Sequence, residues 1–210
     1  MPEPLRETRF WMIRHALVEE NARATLYGVM DVELCPHTLI EQAPIYAALA
    51  QRLPRPAHWV VTPLMRTRRT AEAIFAAGYP RAEWHTEPGL IEQNLGDWQG
   101  LPHADLPKKL RIPAHAFWPI GGMERPPNGE TFAEVIGRVG PVMEDLARRH
   151  AGEDVIVVSH GGTIRGVVAH ALGIGADNAL HLSVANVSLT RLERHDAGWK
   201  VVCVNELPGY

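Results

Sequence analysis

Two apolar runs in this chain stop abruptly on polar residues, and they constrain the fold more than any other feature of the sequence. The first, Phe10-Trp11-Met12-Ile13, ends on Arg14-His15. The second, Val155-Ile156-Val157-Val158, ends on Ser159-His160-Gly161-Gly162. Short unbroken apolar runs are the pattern of strands buried on both faces, which occur in sheets covered by helices on each side. A buried strand that ends on arginine or histidine delivers that side chain to the rim of its sheet. Two segments far apart in sequence thus each bring a histidine to such a rim.

The remaining pattern alternates strands with helices. Residues 8–14 read as the first strand, and a polar loop runs on to about Pro36. His37 to Arg52 reads as one helix, with Leu39, Ala43, Ile45, Tyr46 and Leu49 apolar and Pro54 beyond its end. His58 to Val61 is a short strand. Thr62-Pro63 reads as an N-cap followed by proline at the first helical position, opening a helix from about Leu64 to Ala77. Trp84-His85 is a weak strand. Thr131-Phe132-Ala133-Glu134 is a capping-box pattern for a helix reaching about His150. Asp154 to Ser159 is a strand, Gly161 to Leu172 a helix stopped by Gly173, and 188–195 with 199–205 a hairpin around Asp196-Ala197-Gly198. This order predicts an α/β fold: a three-layer α/β/α sandwich on a mostly parallel central sheet, with an antiparallel edge strand.

A chain of 210 residues fits one domain, here 1–210, with no internal repeat. One stretch breaks the alternation. Residues 101–127 carry Pro102, Pro107, Pro113, Pro119, Pro126 and Pro127 with Gly121-Gly122. A long irregular insertion of this kind reads as a lid over a functional site. Its basic and aromatic residues, His103, Lys108, Lys109, Arg111, His115, Trp118 and Arg125, either read a substrate or form a solvated face.

The formal net charge of -3 supplies no global field for nucleic acid or an anionic membrane, so any anion site has to be local. Cys35 and Cys203 form no CxxC pair, which points to neither a zinc site nor a disulfide framework and fits a reducing cytoplasm. The charged, proline-broken start is unlike a signal peptide, and no apolar run is long enough to span a bilayer.

In open α/β sheets, ligands bind beyond the carboxyl ends of the strands. That rim collects Arg14, His15 and His160 from the two strands, Arg66 from the first turn of the helix after 58–61, and Glu92 from the segment after Trp84. Singly, each has a plainer reading: a satisfied core histidine, or, for Arg66 beside Arg68 and Arg69, a solvated helix face. As a set they fit phosphate chemistry. Guanidinium forks match phosphoryl oxygens. The Gly161-Gly162 helix start adds backbone donors. An imidazole near two guanidinium groups is favoured in its neutral, nucleophilic form. A carboxylic acid can protonate the leaving oxygen.

The sequence resembles the histidine phosphatase superfamily, the branch that includes cofactor-dependent phosphoglycerate mutases and small phosphatases. Arg14-His15 looks like the family's RHG opening, and Asn21 falls where the family often has an asparagine touching phosphate. Residues 26–34, from Leu26 through Gly28 to Leu34, look like its GxxDxxL loop. Residues 62–71 are similar to SPLxRxxxTA, 90–100 to LxExxxGxWxG, 128–131 to the NGES-type segment, and 157–162 to VSHGG. The resemblance implies a phosphoglycerate mutase-like fold with His15 as nucleophile through a phosphohistidine. It implies that Arg14, Arg66 and His160 hold the phosphoryl oxygens, with Glu92 as general acid. It implies supporting contacts from Asn21, Gly28 and Gly161, no metal, and no organic cofactor.

The chain departs from the family pattern at Ala16 in place of glycine, at Leu17-Val18 in place of polar residues, and at 35–38. These bear on substrate class more than on chemistry. The reading is a metal-independent phosphomonoester hydrolase of a small phosphorylated metabolite, with no nucleic-acid or membrane partner and a homodimer through the hairpin edge as one option. Family mutases carry a larger lid, which favours hydrolysis here. The alternatives are mutase-type phosphoryl transfer and a non-catalytic module that binds phosphorylated ligands, although a silent relative would be expected to have lost His15 or Glu92. A protein phosphohistidine phosphatase is a further alternative, disfavoured by the proline-rich insertion.

Overall fold

The computed structural model of the chain describes residues 7–209. Strands β1 (Thr8–Arg14), β2 (His58–Val61), β3 (Trp84–Thr86), β4 (Asp154–Ser159), β5 (Leu189–His195) and β6 (Gly198–Glu206) form one six-stranded sheet in the order β3-β2-β4-β1-β5-β6. The β3-β2-β4-β1 half is parallel, and β5 and β6 join antiparallel. The antiparallel edge is the closing hairpin expected from the sequence.

Period-2 alternation divides the strand side chains between two cores. Phe10, Met12, Val60, Val155 and Val157 face one cluster, built with Val139 and Met143 of α5 (Phe132–Arg149) and Ile164 and Val167 of α6 (Gly161–Leu172). Ile13, Trp59, Val61, Ile156 and Val158 face the other. Its cover includes Tyr46 and Leu49 of the helix Ala43–Arg52 and Ala71 and Ile74 of the helix Met65–Ala76. Both faces of the central strands are therefore dry, which explains their unbroken apolar runs. Each fully buried aliphatic side chain there contributes about 1.5–3 kcal/mol relative to exposure.

Two local expectations need correction. The helix read from His37 to Arg52 is two helices, Pro36–Glu41 and Ala43–Arg52, parted at Gln42. Pro44 has no N–H to donate and its ring conflicts with a carbonyl four residues back, so it falls in the first turn of the second helix, where neither matters. The helix after β2 starts at Met65 with Leu64 as N-cap, so Thr62-Pro63 precede it and do not cap it. The loop read as far as Pro36 also holds a short helix, Glu20–Arg23. A last short helix, Ala176–Ala179, follows α6. In chain order the other helices are α1 (Glu20–Arg23), α2 (Pro36–Glu41), α3 (Ala43–Arg52), α4 (Met65–Ala76) and α7 (Ala176–Ala179). No helix among the described residues is long and apolar enough to cross a membrane.

The 101–127 segment is irregular apart from 3-10 turns over His103–Lys108. It is anchored nonetheless: Leu106 and Ile120 pack with Leu26, Leu95 and Trp98 in a third, small core. Lys108 pairs with Asp105 and Arg125 with Glu134, so these two basic residues are spent on surface ion pairs.

The capping box at the start of α5 is complete. Thr131 Oγ1 accepts from the Glu134 N–H at 3.1 Å, and Glu134 Oε2 accepts from the Thr131 N–H at 2.8 Å. Thr131→Ala should therefore lower unfolding stability by about 1 kcal/mol, read as a shift in the urea midpoint at unchanged slope.

Candidate active site

The site is built by the pairing of β1 with β4. Arg14 is in register with Ser159, so the next residues, His15 and His160, stand side by side with ring centroids 5.3 Å apart. The His15 N–H still donates to Ser159 O at 2.9 Å, which carries the ladder one step past the strand. Both histidines are buried, at 1% and 0% exposure.

Their hydrogen bonds assign their tautomers. His15 Nδ1 lies 2.7 Å from Ala16 O, a pure acceptor, so Nδ1 carries the proton and Nε2 keeps its lone pair. At His160, Nδ1 accepts from Arg66 Nε at 3.3 Å, so Nε2 carries the proton and donates to Thr62 Oγ1 at 2.9 Å. Burial, then the Arg66 and Arg14 guanidinium groups, hold His15 well below the usual histidine value. Burial and Arg66 do the same for His160, with His15 itself adding to the effect.

Arg66 is fully buried in the first turn of α4. Its Nη1 donates to Met30 O and its Nη2 to Gly28 O, each at 2.7 Å, so the 26–34 loop clamps the guanidinium in place. Gly28 sits at φ +41°, and a Cβ there would lie 2.9 Å from Gln93 O. Arg14 is held differently. Nη1 donates to Val184 O at 2.6 Å, while the buried Nε has no partner. A Cβ on Gly161 would press on that Nε at 3.2 Å, and one on Gly162 would meet Glu92 Oε1 at 2.4 Å. The glycine pair lets Glu92 close over the start of α6, where Oε2 accepts from the Gly162 N–H at 3.1 Å. Ser159 Oγ and Thr163 Oγ1 donate to Leu90 O and Ile91 O, fixing the segment that presents Glu92.

A cavity of about 370 Å³ opens here, with Arg14, Gly28, Glu92, Gly161 and Gly162 on its wall. His15, Arg66 and His160 lie in the buried layer behind that wall. Apolar Leu17, Leu26, Ile120, Phe132 and Leu180 share the lining with the cations Arg23 and Arg165. Of the insertion's basic and aromatic residues singled out in the sequence, His103 and Trp118 line the cavity.

Asn21 stands apart from these groups. It lies on α1, exposed, with Oδ1 accepting from the Ala22 N–H, and faces a separate shallow hollow beside Glu19 and Thr25. The short helix turns it away from Arg14, so the contact expected from its place in the sequence is not made.

Arg165 and Asn186 are among the cavity residues that escaped the sequence reading. Arg165 is 5% exposed, anchored by Nε to Leu182 O at 2.7 Å, with its guanidinium 4.3 Å from the centre of the Trp118 ring. Burial pushes it down to about 10. The signal was its place four residues after Gly161, one helical turn along the same face. Asn186 donates Nδ2 to His15 O at 2.8 Å and had no local signature.

The two buried neutral histidines link stability to pH. Their folded values lie below the unfolded value near 6.5, so below that pH the unfolded chain binds more protons. Stability is unaffected above about pH 6.5 and should fall as pH drops from there toward the folded values, by up to about 1.4 kcal/mol per pH unit for each histidine. Urea midpoints measured from pH 7.5 to 5 should show this slope, and His160→Gln should reduce it. A wild-type slope equal to that of the variant would refute the assignment of His160 as neutral.

Comparison with known proteins agrees with this architecture. The family model of the histidine phosphatase superfamily (branch 1) matches residues 10–207. Glucosyl-3-phosphoglycerate phosphatase of Mycolicibacterium vanbaalenii is 30% identical over 91% of this chain and 86% of its own length. A 2,3-bisphosphoglycerate-dependent phosphoglycerate mutase of Cytophaga hutchinsonii is 29% identical over 83% of this chain and 82% of its own. The solved native structure of the mycobacterial glucosyl-3-phosphoglycerate phosphatase superimposes with a TM-score of 0.81 at 26% identity, covering 96% of this chain and 100% of that one. On the family match over nearly its whole length, this chain belongs to the histidine phosphatase superfamily.

Proposed function

We propose that the protein is a phosphatase that hydrolyses a small phosphomonoester without metal, through a phosphohistidine on His15. The observation that carries this reading is the state of His15: neutral, protonated on Nδ1 by virtue of Ala16 O, and so nucleophilic at Nε2 beside Arg14 and Arg66. Nε2 attacks phosphorus as the ester P–O bond breaks. The Glu92 carboxyl gives its proton to the departing alkoxide. In the second half, the Glu92 carboxylate takes a proton from water, whose oxygen attacks phosphorus and releases the imidazole and inorganic phosphate. Arg14 and Arg66 neutralise charge on the transferring oxygens and the Gly161 N–H donates to them, the role that a metal plays elsewhere, while neutral His160 steadies Arg66 by accepting from its Nε. Gly28 acts through its carbonyl, by positioning Arg66.

Hydrolysis fits the phosphatases among the relatives, and apolar Leu17, Leu26, Ile120, Phe132 and Leu180 offer contact to an organic leaving group beside the cations Arg23 and Arg165. The 101–127 insertion serves as the lid of the cavity, through Trp118, Pro119 and Ile120. Arg165 contributes a further cation for binding, steadied by Trp118. The unpaired thiols Cys35 and Cys203 fit a cytoplasmic setting.

Phosphate release from a panel of phosphomonoesters tests this. Wild type should turn over at least one compound and His15→Ala none. Retained turnover in that variant removes the nucleophile assignment. Glu92→Gln should lower kcat/KM, which reports the steps up to loss of the leaving group, by about 10²–10⁴-fold for alkyl esters and far less for p-nitrophenyl phosphate, whose leaving group needs no proton. An equal loss on both would exclude Glu92 as the acid. Arg165→Met should raise KM with kcat changed less.

A further inference from the structure

The amino-terminal end of the sheet, opposite the cavity, carries a second cluster of chemically capable side chains that the phosphatase reading does not use. His58 opens β2, His150 is the C-cap of α5, and Glu153 immediately precedes β4. One carboxylate oxygen serves both rings: Glu153 Oε2 lies 2.8 Å from His58 Nε2 and 3.6 Å from His150 Nδ1. The two imidazoles lie face to face, with centroids 4.1 Å apart and planes 31° from parallel. The three ligand atoms all fall within 4.8 Å of one another.

From this geometry we infer a surface site for a divalent transition cation, Zn²⁺ by preference, held by His58 Nε2, His150 Nδ1 and a Glu153 carboxylate oxygen. Tetrahedral zinc with bonds of about 2.0–2.2 Å sets its ligand atoms roughly 3.3–3.6 Å apart. The Glu153 Oε2 separations of 2.8 and 3.6 Å lie below and at the top of that range, and the third pair is within 4.8 Å, so side-chain adjustments bring the three atoms onto one ion. Two imidazoles and one carboxylate select a borderline cation over Mg²⁺ or Ca²⁺, which prefer all-oxygen ligands. Water completes the coordination on the exposed side.

The backbone beneath the site is set by the fold and not by the side chains that would bind. The Glu153 N–H donates to His150 O at 3.0 Å, closing the turn between two of the ligands. Thr8 Oγ1 donates to His150 O at 3.2 Å, and the Arg9 N–H to Glu153 O at 3.0 Å, so the start of β1 holds both. His58 is tied to the same place because it pairs with Val155 in the β2–β4 ladder. Preorganisation of this kind lowers the ordering cost of binding. A bound ion would join β2, β4 and the end of α5 from outside. A strand of six residues is roughly 20 Å long, so the site is remote from the phosphoryl pocket and its occupancy should stabilise the fold without altering turnover.

The test is calorimetric titration of tag-free protein with ZnCl₂, beside thermal unfolding with and without the ion. Wild type should bind one equivalent with a micromolar Kd and gain several degrees in Tm at saturation. His58→Gln and His150→Gln should each weaken binding at least tenfold and lose the gain in Tm. His37→Ala, which removes an exposed histidine that also pairs with a glutamate, Glu41 at 3.1 Å, should change neither. Unaltered zinc-free Tm values in the variants would establish that they are folded. Should a glutamine variant be unfolded, Glu153→Gln, on an exposed side chain, provides the same comparison. Absence of saturable binding by wild type, or equal binding by wild type and His58→Gln, overturns the inference.

Discussion

Everything at the active site depends on one parallel pairing. Because β1 and β4 run side by side in register to Arg14 and Ser159, the first residues past each strand, His15 and His160, are forced together at the centre of the sheet. That central position, with helices on both faces, strips water from the rings. Dehydration disfavours the imidazolium form, and the neighbouring guanidinium groups disfavour it further. The neutral state of the two rings is therefore a product of sheet topology before it is a product of any particular contact.

The same burial is costly for the arginines, and the structure offsets that cost with carbonyls instead of carboxylates. Arg66 rests on Met30 O and Gly28 O, Arg14 on Val184 O, and Arg165 on Leu182 O. A carbonyl accepts a hydrogen bond without cancelling the cation's charge, so the positive potential survives for an incoming anion. Carboxylate partners would have stabilised the empty pocket more and the occupied one less. Glu92 is the acidic exception, and its oxygens are themselves satisfied by the Gly162 and Gln93 N–H groups.

The sequence disclosed those parts of this arrangement that depend on local chemistry. Buried strands show as unbroken apolar runs, and the residues that end them must sit at the rim, so Arg14, His15 and His160 could be placed without a structure. The capping box at Thr131 and the stop at Gly173 have equally local causes, and both boundaries lie where the pattern sets them. What failed were features decided by distant partners. Asn21 has a suitable place in the chain, but a single turn of helix directs it outward. Thr62 looks like a cap, yet its hydroxyl is committed to His160 and Thr67, both outside any local window that a capping rule inspects. Arg165 looked like one more residue of an apolar helix until Trp118, almost fifty positions away, supplied the face on which it rests.

The departures at Ala16-Leu17-Val18 also resolve by direction. Ala16 is buried and its N–H donates to Thr70 Oγ1, which ties the loop after β1 to α4. Val18 turns into the core with Leu34, while Leu17 alone reaches the cavity. Three consecutive substitutions thus have three different consequences, and only one of them meets a substrate. Leu17 replaces a polar contact with an apolar wall that Leu26, Ile120 and Phe132 continue. Hydrogen-bonded contacts discriminate steeply among ligands, because a missing partner leaves a buried polar group unpaired, whereas an apolar wall discriminates only by the area it can cover. The cavity thus carries an apolar lining at Leu17 beside the cations Arg14, Arg23 and Arg165.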